Sequence, residues 1–359
     1  MTSMKLKLAF LSHCILFVLI ANANMASPIR PGTKTSTAFS SKDIDILSET
    51  INIKIASDFK TAKFTIEYNI QSNISGNQIP LLFYAKNYGD KFSVLLDNNS
   101  VLIQDIPSDF ILDASYNGLK KEADDVDITW NKDYQSSYKL QDLKYFETDI
   151  PKGKHKITVS YTANVWVDVS GWTKKYSFYY SLTPAKFWKS FGILDIRLEQ
   201  EENIRQLTTN IGLPEEKKFQ QKNNWHFNKL PDEYLAFSYT PMPNKLASIL
   251  ISIEPFGIAL LVGLLLFVIH LILIILYRKR NPNKKQSLVV GIGSILVPLL
   301  FLISYIYSFT MIDDVIGTDA GKSHGYSSIL ALIFYPVFLP IYWFVMWLLD
   351  KFIKRKLSK

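Results

Sequence analysis

The chain has 359 residues, 48% of them hydrophobic, with a formal net charge of +8 and one cysteine. That cysteine, Cys14, lies in the first apolar block, so the rest of the chain cannot use disulfides, thiol nucleophiles, iron–sulfur ligation or cysteine zinc sites. The basic balance is not a nucleic-acid footprint, because the cations collect beside apolar segments rather than along one polar stretch.

Residues 1–23 combine Lys5 and Lys7, an apolar stretch and the small-residue site Ala21-Asn22-Ala23, the pattern of a signal peptide cut after Ala23. The stretch is shorter than the ~20 residues a bilayer crossing needs. His13 precedes Cys14 where a lipoprotein signal requires a small residue, which argues against lipidation. Residues 24–42, with Pro28, Pro31, Gly32 and several Ser and Thr, read as a flexible leader.

Period-two alternation begins after residue 42. Ile51, Ile53 and Ile55 alternate with Asn52 and Lys54, and Phe64, Ile66, Tyr68 and Ile70 with Thr65, Glu67 and Asn69. The pattern returns at Ile157, Val159, Tyr161 and Ala163, at Tyr176, Phe178, Tyr180 and Leu182, and at Leu194, Ile196 and Leu198. Half-buried strands separated by turn signals such as Asn117-Gly118 predict an all-β, antiparallel, β-sandwich-like extracytoplasmic domain over residues 43–240. A linker and interfacial segment follows at 241–255.

Residues 256–277, 288–309 and 328–349 are each long and apolar enough to cross the ~30 Å hydrocarbon core as a helix, predicting a three-span membrane bundle. The 278–287 loop carries Arg278, Lys279, Arg280, Lys284 and Lys285, and the 350–359 tail carries Lys351, Lys354, Arg355, Lys356 and Lys359 against Asp350. The 310–327 loop carries Asp313, Asp314 and Asp319 against Lys322. The positive-inside rule then places the loop 278–287 and the tail in the cytoplasm and the β domain and the loop 310–327 outside, the orientation a signal peptide also requires. The loop and tail cations, with Lys5 and Lys7, exceed the whole net charge of +8, leaving the remainder slightly acidic.

Four features are candidates for chemistry. Glu122, Asp124, Asp125 and Asp127 form an acidic cluster of the oxygen type that holds Ca²⁺, although Trp130 stands where a hand-type calcium loop starting at Asp125 needs glycine. A solvated loop is the plainer reading. Trp172, Phe187 and Trp188, beside Lys174, Lys175, Lys186 and Lys189, could form a stacking surface for sugar or protein. His270 falls within the first span, about 10 Å from its basic end, where an interhelical hydrogen bond or a proton or ligand role would satisfy it. Gly317 to Ser323 resembles a phosphate loop but has three residues between its glycines where the motif needs four.

His155 and His226 lack a second histidine at ligand spacing, and the Gly-x-Ser-x-Gly match at Gly321, Ser323 and Gly325 falls in the polar loop between two apolar spans, not between a strand and a helix as a nucleophile turn requires. The expectation is therefore a protein that is not an enzyme and needs no cofactor. It would present an exported β domain for binding or envelope-complex assembly, with an accessory subunit of a membrane transporter and an extracytoplasmic hydrolase as rivals. Its expected partners are the lipid bilayer and a protein of the membrane or envelope, not nucleic acid. Lys-, Asn- and Ile-rich usage points to a bacterial plasma membrane.

Overall fold

The computed structural model describes residues 25–26, 43–104, 120–122, 125–131, 134–182, 188–201 and 207–357. The signal segment 1–23, most of the leader and Asn117-Gly118 lie outside the described residues. In chain order the strands are β1 (Met25–Ala26), β2 (Ile44–Ile55), β3 (Thr61–Ser72), β4 (Gly76–Tyr84), β5 (Tyr88–Leu96), β6 (Asn99–Val101), β7 (Ile103–Gln104), β8 (Lys120–Glu122) and β9 (Asp125–Asn131). They continue as β10 (Tyr134–Lys139), β11 (Leu143–Ile150), β12 (Gly153–Asn164), β13 (Trp166–Asp168), β14 (Lys175–Ser181), β15 (Ser190–Gln200), β16 (Thr208–Thr209), β17 (Lys222–Phe227) and β18 (Tyr234–Tyr239). Three long helices follow: α1 (Lys245–Arg280), α2 (Leu288–Ile316) and α3 (Gly325–Leu357).

The chain is thus mostly β-sheet, followed by three long apolar helices. It divides into two compact units, one of Met1–Trp166 and Tyr176–Tyr239, the other of Val167–Lys175 and Thr240–Lys359.

The first unit is built on a seven-stranded sheet of order β17-β15-β2-β3-β12-β5-β6, with four-stranded sheets β1-β4-β11-β7 and β13-β14-β18-β16 contributing to the same core. The alternating residues Ile51, Ile53, Phe64, Ile66, Tyr68, Ile157, Val159, Tyr161, Leu194 and Ile196 are all buried. Rings join the sheets: Phe64 stacks on Tyr180 at 6.2 Å and Phe83 meets Tyr161 edge-on at 5.6 Å. One pairing departs from the antiparallel expectation, since β15 lies parallel to β2 from Ser190↔Asp45 to Gln200↔Ile55. The reason it escapes the sequence is physical: a strand with one buried face alternates with period two whichever way its neighbour runs.

In the second unit the three helices are long and apolar enough to cross a membrane. Within α1, Glu254 has φ 63° and ψ 159°, so the backbone breaks immediately before Pro255 and separates a short first helix from the long one. A proline cannot donate the i→i−4 bond and crowds the preceding turn, which is why the break falls there. By contrast α2 continues through Pro298, and α3 through Pro336 and Pro340.

Buried polar groups in the β core include a chain of hydroxyls that ends on a carboxyl group. The Tyr180 hydroxyl donates to Glu49 Oε1 at 2.8 Å, and the Tyr68 and Tyr180 hydroxyls are 2.8 Å apart. Glu49 and Tyr68 are 0% exposed, and burial pushes the hydroxyls of Tyr68 and Tyr180 well above their ordinary value, so both stay protonated and able to donate. Tyr180→Phe removes the donor to a buried carboxyl group and should cost about 1–3 kcal/mol. It should lower the thermal unfolding midpoint of the detergent-solubilised protein; an unchanged midpoint would mean that the chain of hydroxyls adds nothing to stability.

Candidate functional site

The residues singled out in the sequence do not converge. Glu122 closes β8, and Asp125 and Asp127 lie on β9, with Glu122 opposite Asp125 and Lys120 opposite Asp127 in an antiparallel pair; Asp124 is outside the described residues. Among the described residues no group of three or more His, Cys, Asp or Glu could hold a metal ion. His155 pairs with Asp97 at 2.7 Å, and His226 with Asp195 at 2.7 Å. Of the three proposed stacking aromatics, Phe187 lies outside the described residues. Trp188 is only 5% exposed and belongs to the β core, which corrects its assignment to an exposed surface: a large ring next to the start of β15 gains more from burial than from solvent.

Trp172 belongs to the second unit, in the segment Val167–Lys175. Its ring packs on His324 at 4.3 Å and on Phe309 at 5.9 Å, and His324 Nε2 lies 3.2 Å from Asp313 Oδ1. The backbone reinforces the contact: Gly321 N–H donates to the Trp172 carbonyl at 2.9 Å and Lys174 N–H to the Asp319 carbonyl at 2.7 Å, while Thr173 and Ala320 form an antiparallel bridge. A Cβ on Gly321 would come within 2.0 Å of the Gly171 carbonyl oxygen, so this approach requires glycine. The Gly317 to Ser323 stretch is therefore the seat of the 167–175 segment.

His270 is 3% exposed. Its Nδ1 lies 3.0 Å from the Tyr342 hydroxyl of α3 and its Nε2 lies 3.1 Å from the Val289 carbonyl of α2, so one imidazole bridges all three helices. The ring sits against Gly293, where a Cβ would come within 2.2 Å of Nε2. With Nε2–H donating to the carbonyl, neutral Nδ1 accepts the tyrosine proton and every polar group of the trio is satisfied.

Two turns further on, Arg278 meets Asp350. The guanidinium Nε donates to Asp350 Oδ1 at 2.6 Å and a second nitrogen reaches Oδ2, while the third donates to the Lys284 carbonyl at 2.7 Å. Arg278 is 1% exposed and Asp350 5%. In the sequence Arg278 counts among the loop cations; its burial is not visible there, and the one local signal is that Asp350 is the lone acid in a basic tail.

The sequence also gave no sign of Lys86. Its Nζ lies 4.4 Å over the Tyr179 ring, which has Trp166 edge-on at 5.8 Å and Tyr234 at 6.2 Å. Burial pulls the Lys86 ammonium down to about 8, against the Asp142 carboxylate, which favours the charged form. Asp142 in turn accepts from the backbone N–H groups of Asn87 and Tyr88 at 3.2 Å each, holding the short loop that carries Lys86.

No known protein family matches the chain, and no curated protein matches it. Among solved structures it is similar to yeast LTA4 hydrolase in complex with bestatin, at 9% identity over 60% of this chain and 32% of that one, with a TM-score of 0.33. It is also similar to the M1 zinc metallopeptidase from Deinococcus radiodurans, at 7% identity over 56% of this chain and 39% of that one, with a TM-score of 0.25. The chain therefore spans less than two-fifths of the length of either structure. Both are enzymes, and this finding corrects the expectation that the chain is not an enzyme, which is withdrawn. That expectation rested on finding no catalytic constellation in the sequence, and catalytic groups assembled from distant residues leave no local sign there. TM-scores of this size carry no argument for a particular reaction.

Two measurements test these geometries. Asp350→Ala leaves Arg278 buried without its carboxylate and should cost about 3–5 kcal/mol, whereas the double change Arg278→Met, Asp350→Leu should recover most of the loss. Thermal unfolding in detergent decides, and a double variant no better than the single one would refute a buried, mutually dependent pair. For Lys86, carbon-13 methylation and NMR titration of the intact chain should give a midpoint of about 8, moving lower in Asp142→Asn as the charge that favours the ammonium is removed. A midpoint of ~10, the ordinary lysine range, would contradict the buried setting.

Proposed function

We propose that the chain is an integral membrane protein that carries the first unit, as a β-sandwich-like domain, on the exported side of a bacterial plasma membrane. Its role is binding, or assembly of a complex in the cell envelope. The observation that carries this reading is the charge at the two ends of the helical unit. Arg278 and Asp350 neutralise each other, and the end they join still holds Lys279, Arg280, Lys284, Lys285, Lys351, Lys354, Arg355 and Lys356. Lys354 Nζ donates to the Lys284 carbonyl at 3.1 Å, so loop and tail cations are gathered together. The opposite end, where Asn244 Nδ2 donates to the Val315 carbonyl, carries Asp313, Asp314 and Asp319 against Lys174, Lys245 and Lys322 and is close to neutral. That asymmetry supports the basic end in the cytoplasm.

A second reading, an accessory subunit of a membrane transporter, is favoured by the His270 contact with Tyr342, a polar link between two helices within apolar sequence. Ionisable groups at such depth often serve transport. The two readings predict different co-purifying chains, a transport protein for the second and envelope components for the first.

Protease added to intact spheroplasts should digest the β unit while an epitope on the tail remains protected. A tail cleaved from outside would sink the proposed orientation. Affinity purification in mild detergent, with identification of the recovered chains, then separates the two roles.

A further inference from the structure

The three long helices are joined unequally along their length. At the Arg278 end, α1 and α3 meet at His270 and Tyr342, at the buried side chains of Ile274 and Met346, and at Arg278 and Asp350, with Val290 of α2 packed in the same cluster. Towards Phe256 they part around a cleft of about 770 Å³. Phe256 and Phe267 of α1, Phe301 and Tyr305 of α2, and Phe338 and Tyr342 of α3 line it, and almost all of its wall is apolar. The Tyr342 hydroxyl, 3.0 Å from His270, is turned to its own partner at the closed end.

The cleft is of the size that ordinarily holds a small molecule, ~300–1,000 Å³. Its lining distinguishes two kinds of occupant. A further membrane helix packs closely where small residues let backbones approach. This cleft presents aromatic rings, and at its small residue, Gly263, the Phe301 ring lies where a Cβ would meet it at 2.8 Å, filling the space a partner backbone would need. A slender, flexible chain can lie between such rings, and the molecules surrounding a spanning helix are lipids.

We propose that this cleft is a lipid site that takes an acyl chain of a bilayer phospholipid, inserted between α1 and α3 and ending at the His270–Tyr342 contact. The inference rests on the membrane reading above and adds a specific ligand class to it. The aromatic walls supply apolar burial over much of the chain's length, and the break at Glu254 lies next to Phe256, which lines the cleft.

The test uses the full chain reconstituted in vesicles of phosphatidylcholine and phosphatidylglycerol doped with a phospholipid carrying a photoactivatable diazirine on its acyl chain. After irradiation, peptide mass spectrometry should find label concentrated at Phe301, Leu302 and Tyr305 of the cleft over Ile292 and Ile295, which are 57% and 53% exposed and outside it. Leu260→Trp and Leu264→Trp, which fill the cleft, should abolish that preference, while Leu261→Trp, on an exposed face outside it, should leave it intact. Label spread evenly over the helix faces, or a preference that survives both filling variants, would overturn the proposal. So would a partner helix from a co-isolated membrane protein cross-linked into the cleft. A chain stripped from the vesicles by carbonate would overturn the membrane reading as well, so the two failures are distinct.

Discussion

A charge at the edge of an apolar bundle cannot be left alone, and the second unit is arranged around the pair that meets this requirement. Burying either ion by itself would cost several kcal/mol. Asp350 supplies two oxygens to the Arg278 fork, and the Lys284 carbonyl takes a further donor, so each of the three guanidinium nitrogens has a partner in place of water. The offset this pair sets between α1 and α3 is repeated by His270 with Tyr342, each eight residues earlier on its helix, and Ile274 and Met346 lie midway between. Beyond His270 and Tyr342, towards Phe256, the same two helices line the aromatic cleft.

The β unit meets the problem of buried polarity with hydroxyls instead of ions. Tyr68 and Tyr180 reach from facing sheets to Glu49, and burial keeps both protonated. The network is a directional link in a largely apolar core, and such links select one packing over near neighbours. Its stabilisation is modest beside the hydrophobic term, because each hydrogen bond replaces one made to water.

Strands and helices were legible because their burial repeats with a period. Ile51, Ile53, Phe64, Ile66 and Val159 could be placed on a buried face from alternation alone, and the three long helices from apolar length alone. Neighbour relations were not legible. The parallel β2–β15 pairing, the burial of Trp188 and the Arg278–Asp350 contact all join residues far apart in sequence. His270 was conspicuous as a polar group in an apolar run, but its partners Tyr342 and Val289, and the space left for it by Gly293, exist only once the helices are packed. Lys86 gave no signal at all, since a lysine beside a turn is ordinary until Tyr179, Trp166 and Asp142 are brought around it.

The segment 167–175 carries the last step. It leaves the β unit between β12 and β14, belongs to the helical unit for nine residues, and returns, so the chain crosses the boundary between units there as well as at Thr240. Its anchor is made of groups that bind through geometry: a bridge at Thr173, the Gly321 approach, and the Trp172 ring over His324 and Phe309. Phe309 touches Tyr305 edge-on at 5.2 Å, and Tyr305 lines the aromatic cleft. One continuous row of rings therefore runs from Trp172 to the cleft wall.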